Sequence, residues 1–290
     1  MNIKTKSHLL LHSVVAIFGF TGILGKLITI DAIPLVFWRT TIGGIVILVW
    51  LAIRKKITKK SRSTLLKMSG VGLLVAAHWI LFFAAIKMST VSVALVMVAT
   101  TPMFVGFIEP IVFRRKLDLK ELFVSAIVIA GVSTIFSISS EYMLGMILGL
   151  LSAFLAALFS TLNGVLVKEF DASNISMVEL LSASVGITLL LVFTGGMNKD
   201  LFIMSSENWL WISVLAVVAT SFAFIASTAV MKVLTPFTTA IAINLEPVYA
   251  IILAVLIFGD EEVMGIEFYF GTSLIIGAVI VNTLIKREKA

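Results

Sequence analysis

Glu246 stands beside Pro247 in INLEPVYAIILAVLIFGDEE, residues 243–262, and no other charge appears before Asp260, Glu261 and Glu262. If this run crosses a bilayer, an acid near its centre costs roughly 2.5–3.5 kcal/mol, so it must face protein or a wet cavity. Pro247 cannot donate its amide and clashes one turn back, which frees the carbonyl of Ile243. Tyr249 shares a face with Glu246 at i+3, and Asn244 sits nearby on another face. Two chemistries fit: a cavity carboxylate that binds a cationic group or takes up a proton, or a protonated acid that hydrogen-bonds a neighbouring helix at the kink.

Other polar and aromatic side chains lie in similar runs. His78 can exchange a proton or hydrogen-bond across helices. Trp79 lies away from any interfacial belt and, with Phe83 one turn on, can form an apolar wall or a cation–π face, or simply pack. Asn163, Thr100 and Thr101 are candidate cavity hydrogen-bonders, although such residues often only bridge helices. Arg39 can bind a carboxylate, but two turns from a helix end it is within snorkelling reach of headgroups, the expected role. Lys26, on a face with Gly19 and Gly22, is either a gate charge or an interfacial anchor. Glu109 is expected to pair with Arg114 and Arg115.

Several reactive chemistries are excluded. There is no cysteine, hence no thiol nucleophile, disulfide or thiolate metal site. HExxH, GxSxG, Walker A and paired-aspartate metal motifs are absent, so no catalytic residue, metal or cofactor is assigned.

The elements that position these residues follow from composition. Of 290 residues, 60% are hydrophobic and 13% charged, with mean hydropathy +1.13; soluble domains carry about 25% charged residues. Ten apolar runs can be placed, at 9–30, 33–53, 68–86, 91–113, 122–138, 143–167, 175–194, 209–231, 237–258 and 264–285. They are too long for barrel strands and lack alternation, so an all-α integral membrane protein of ten transmembrane helices is expected. MNIKTKSH mimics the start of a signal peptide, but its apolar run continues to Ile30 with no cleavage pattern and reads as a retained first helix.

With the N-terminus inside, ten helices return the C-terminus to the same side. All 22 basic residues then fall inside except Lys26, Arg39, Lys87 and Lys199, while Asp31, Glu141, Asp200, Glu207 and Asp260 to Glu262 fall outside. That asymmetry predicts an N-in, C-in orientation. The net charge of +6 serves topology and anionic headgroups of membrane lipids, not nucleic acid.

The chain also resembles itself. ATTPMFVGFIEPIVFRRK (99–116) aligns with NLEPVYAIILAVLIFGDE (244–261) at an offset of 145, bringing Pro102 onto Pro247 and Phe113 onto Phe258. At that offset Lys87 meets Lys232, and with one insertion FGFTGILGK (18–26) meets FSTLNGVLVK (159–168). Two five-helix repeats, 1–138 and 139–290, are therefore expected. An odd helix number inverts the second relative to the first, the arrangement that places a substrate site near the midplane.

These residues resemble the drug/metabolite transporter superfamily in its ten-helix EamA-like branch. The likeness rests on FGFTGILGK, Arg39, AIKMSTVSVAL (85–95), Pro102, NLEP followed by FGDE, and GTSLIIGAVIV (271–281). It implies two inverted repeats around a cavity lined mainly by helices 1, 3, 4, 6, 8 and 9, and movement of small metabolites, often amino acids, commonly outward across the bacterial inner membrane. The substrate site would then draw on Glu246, His78, Trp79, Tyr249, Asn244, Phe83, Asn163 and Thr101. The expected partners are a small-molecule substrate, protons and membrane lipids, with the chain a monomer or weak dimer. One departure stands out: such helices usually end in Gly-Glu, as in Gly259-Asp260-Glu261, but the first copy offers Phe113-Arg114-Arg115 and has lost its acid. The rival class is an intramembrane acid–base enzyme using His78 and Glu246.

Overall fold

In lipid every backbone amide and carbonyl must be satisfied within the protein, which leaves an apolar chain only helices or a closed barrel. The computed structural model describes residues 3–138, 140–243 and 245–287, and these are helical with no strand. In order they form α1 (Ile3–Leu27), α2 (Ala32–Ile53), α3 (Arg62–Met88), α4 (Val91–Val98), α5 (Thr101–Val112), α6 (Leu119–Ile138), α7 (Met143–Leu166), α8 (Ala172–Phe193), α9 (Ser206–Val214), a π-helical stretch (Leu215–Phe222), α10 (Ala223–Val230), α11 (Pro236–Ile243), α12 (Glu246–Phe258) and α13 (Ile266–Arg287).

Seven stretches are long and apolar enough to cross a bilayer: α1, α2, α3, α4 with α5, α7, α8, and α9 through α10. Among the described residues, α6 and α13 contribute shorter apolar stretches, Phe123–Ile135 and Ile266–Ala278. Three helices begin ahead of their apolar runs because a polar residue caps them. Ser61, Asp171 and Ser205 accept from the amides of Thr64, Ser173 and Asn208.

Three places depart from regular α-helix, each with a chemical cause. Between α4 and α5, Pro102 displaces the carbonyl of Val98, and the Thr101 hydroxyl donates to that carbonyl at 2.6 Å. Between α11 and α12 the break falls just before Pro247, as the repeat requires. In the π-helical stretch, Thr220 donates to the Leu215 carbonyl at 2.8 Å and Ser221 to the Ala216 carbonyl at 2.9 Å. Such widened turns concentrate at functional sites.

Packing brings the two halves together. α3 lies against α7 and α8, α2 against α8 and the π-helical stretch, α1 against α10 and α12, and α6 against α13. Glycine sets the last crossing: a Cβ on Gly131 would lie 2.8 Å from the Gly271 carbonyl oxygen, and one on Gly271 would lie 2.8 Å from that of Gly131. Exchanging the halves maps these neighbours onto one another, with α2–α8 and α6–α13 onto themselves and α3–α7 onto α1–α10.

Two carboxylates clamp the halves at the ends of the broken helices. Glu262, 0% exposed, accepts from the amides of Val91 (3.0 Å) and Ser92 (2.9 Å), the Ser92 hydroxyl (2.8 Å) and Lys26 Nζ (2.9 Å). It thereby caps the unsatisfied N-terminus of α4. Lys26 also pairs with Glu261 at 3.0 Å, so it is tied to the segment after α12 rather than acting as a lipid anchor. Glu109, in the last turn of α5, accepts from the Phe237 amide at 2.9 Å and thus caps α11, with Arg115 Nε at 3.4 Å. The expected Arg115 pairing is present, but the helix cap is the shorter contact. The acid missing after Phe113 is in effect supplied one turn earlier, by Glu109.

Removing the Glu262 side chain leaves buried amides and Lys26 without their shared acceptor. Glu262→Ala should lower stability by about 3–5 kcal/mol, read as a fall in thermal midpoint of the purified protein. Arg114 (φ 52°) occupies the left-handed position that Gly259 (φ 62°) holds in the second half. Arg114→Gly should therefore stabilise the same protein by about 1 kcal/mol.

Candidate functional site

The broken helices open onto a cavity of about 120 Å³ bordered by α1, α2, α3, α4, α5, α7, α10, α11 and α12. Five aromatic side chains stand in its walls: Phe18, Trp79, Phe82, Phe159 and Phe224. Trp79 meets Phe224 edge-on at 5.6 Å, and Phe159 lies 6.2 Å from Phe224 and 5.3 Å from His78.

Glu246 is the first residue of α12 and lines the cavity at 8% exposure. At that position the amide ends of the helix favour a carboxylate. Among the described residues, no hydrogen bond or ion pair holds it. Thr101 precedes Pro102 as Glu246 precedes Pro247, and both line the cavity. Both helix breaks thus border it.

Arg39 lines the same cavity at 1% exposure, which overturns the expectation that it snorkels to the headgroups. The reason is local: α2 packs against the π-helical stretch, where Thr220 Oγ1 accepts from Arg39 Nε at 2.9 Å. Its guanidinium lies 3.8 Å over the Trp79 ring and 5.4 Å from that of Phe83. One terminal nitrogen, NH1, has no hydrogen-bond partner, and no acid among the described residues pairs with Arg39. Buried cations are ordinarily paired.

His78 also lines the cavity, with Nδ1 2.9 Å from the Ser152 carbonyl and 2.8 Å from the Ser152 hydroxyl. Its interhelical bond to α7 is therefore made, leaving Nε2 as the remaining polar atom of the ring.

The other expected site residues divide. Phe83 is fully buried behind the wall, touching the Arg39 guanidinium rather than the cavity. Asn163 is buried and donates to Glu179 Oε2 at 3.2 Å, away from the cavity lining. Tyr249 is corrected: it is 54% exposed and turns outward beside Gly19, because Glu246 lies on the cavity edge of α12 and a residue three further on reaches the outer side. Asn244 lies outside the described residues.

Sequence reasoning missed Glu179, wholly buried in α8 with Oε1 unpartnered. The signal was available, since it is a single acid within an apolar helix, the very feature that marked Glu246. It also missed Thr21, Thr228 and Thr239, cavity residues whose hydroxyls have no partner.

Comparison with known proteins follows the same lines. A family model described as "EamA-like transporter family" matches residues 5–137 and 143–284. An uncharacterized transporter of Bacillus subtilis (strain 168) is 24% identical over 98% of this chain and 92% of its own length. An uncharacterized transporter of Archaeoglobus fulgidus is 23% identical over 87% and 89%. A solved crystal structure superposes with a TM-score of 0.74 at 15% identity, covering 97% of this chain and 99% of the other, a likeness of fold alone.

The absence of cysteine provides a clean test of the cavity. A small hydrophilic thiol reagent should modify Ser227→Cys, on the cavity wall, in native membranes. Tyr249→Cys, on the outward face, should be modified at least tenfold more slowly. Equal rates would mean that the cavity is dry.

Proposed function

The chain belongs to the EamA-like transporter family, and from that premise we propose that it is a secondary carrier that moves small metabolites by alternating access at the central cavity. It is a multi-pass membrane protein of a transporter family, not of an enzyme family, which removes the acid–base enzyme alternative. The proposed solutes are amino acids or related amines and aromatic compounds, moved outward across the inner membrane. The aromatic side chains in the cavity walls support that range. No Walker A motif is present, so the driving force is a gradient of protons or of the solute itself.

The proposed architecture is ten transmembrane helices in two inverted repeats, 1–138 and 139–290, with both termini inside. Three observations support it: the neighbour pattern that survives exchange of the halves, the equivalent breaks before Pro102 and Pro247, and the reciprocal caps by Glu109 and Glu262. Inverted repeats joined in this way rock about a site at their interface.

One observation carries the reading: Glu246 keeps a carboxylate in the middle of an apolar bundle, facing a cavity, with no protein partner among the described residues. A group so placed is completed by a proton or by a solute cation, and exchange of one for the other is a transport step. Glu246→Gln preserves shape and removes the charge. In proteoliposomes it should reduce counterflow of a transported solute at least tenfold, with the thermal midpoint within a few degrees of wild type. Counterflow at the wild-type rate would make the acid structural.

A further inference from the structure

We propose that Arg39 is the anion-binding pole of the cavity, so that the substrate is a dipole, its cationic group toward Glu246, its carboxylate toward Arg39 and an apolar body between. This rests on the carrier reading above and narrows it to one class of solute. A cavity holding Glu246 alone would suit simple amines.

The guanidinium is held in place before any ligand arrives. Nε is committed to Thr220 Oγ1 at 2.9 Å, and the plane is stacked 3.8 Å over Trp79. What remains is the terminal edge of the fork, and NH1 there has no acceptor. A planar fork anchored at one edge and buried without a partner at the other is matched by a carboxylate, and little rotamer entropy is lost when one binds. A lysine would give charge without this orientation.

The alternative is that Arg39 serves to neutralise Glu246. The two line one cavity, yet no ion pair joins them, and Arg39 is turned toward the π-helical stretch and Trp79. Two opposite charges are thus kept apart in one largely apolar space. A ligand bearing both charges satisfies both poles at once. A ligand bearing one leaves the other buried and unpaired, which is how a polar site rejects an analogue lacking the matching group.

The test uses three probes of shared body: L-phenylalanine with both charges, phenethylamine with only the cation and 3-phenylpropionate with only the anion. Each carries the phenyl ring that the aromatic side chains of the cavity would meet, so the three differ in charged groups alone. Binding to the purified protein is measured by thermal shift and titration, and exchange by counterflow. Wild type should bind phenylalanine at least a hundredfold more tightly than either analogue. Arg39→Gln should erase the advantage of phenylalanine over phenethylamine while leaving phenethylamine affinity within about threefold, and Arg39→Lys should fall between.

Should Arg39→Gln fail to fold, the ratio of the three ligands on wild type decides alone. Phenethylamine bound or exchanged by wild type within tenfold of phenylalanine overturns the inference and leaves the carrier reading standing. Equal loss of all three ligands in Arg39→Gln also overturns it, in favour of charge neutralisation. If wild type binds none of the three, the dipolar assignment fails, whereas the carrier reading is judged separately by counterflow in Glu246→Gln.

Discussion

The structure turns on the rule that a backbone group in lipid must find its partner inside the protein. A helix may be interrupted at that depth only where the freed groups meet other protein or a cavity. Each interruption here obeys the rule. The Val98 carbonyl released by Pro102 receives the Thr101 hydroxyl, and the widened turn of the π-helical stretch is spanned by Thr220 and Ser221. The breaks before Pro102 and Pro247 both open onto the cavity, and Thr220 orients the Arg39 that lines it. Irregular backbone and functional chemistry coincide because the same space tolerates both.

Charge follows a related division. At the ends of the broken helices the acids are saturated, Glu262 by two amides, a hydroxyl and Lys26, and Glu109 by the Phe237 amide and Arg115. Within the cavity Glu246 and Arg39 are left without charged partners among the described residues. Saturated carboxylates hold the halves together, since each caps a helix of the opposite half. Unsaturated charges wait for something that can leave again. A carrier needs both kinds, because a site already satisfied by the protein has nothing to offer a solute.

The likeness to a solved structure at 15% identity shows how little of this the fold dictates. At that identity the fold is kept while most residues differ. Function must therefore be argued from the site, from the stacked Arg39 and the bare Glu246, rather than from the bundle that carries them.

By itself the sequence determined the helical membrane class, the position of the helix break at Pro247 and the isolation of Glu246, because hydropathy, proline geometry and the cost of a buried acid are local properties. It determined less about direction. Along an apolar helix the faces toward lipid, toward packed protein and toward a cavity all read alike, so periodicity groups residues without saying what each group meets. Tyr249 shares a turn with Glu246 yet faces outward, Phe83 backs the wall that Trp79 forms, and Arg39 turns inward although it was within reach of the headgroups. Tertiary structure decided these, through contacts between residues distant in the chain. The Thr220 hydroxyl that holds Arg39 comes from the other half, and only packing could bring the two together.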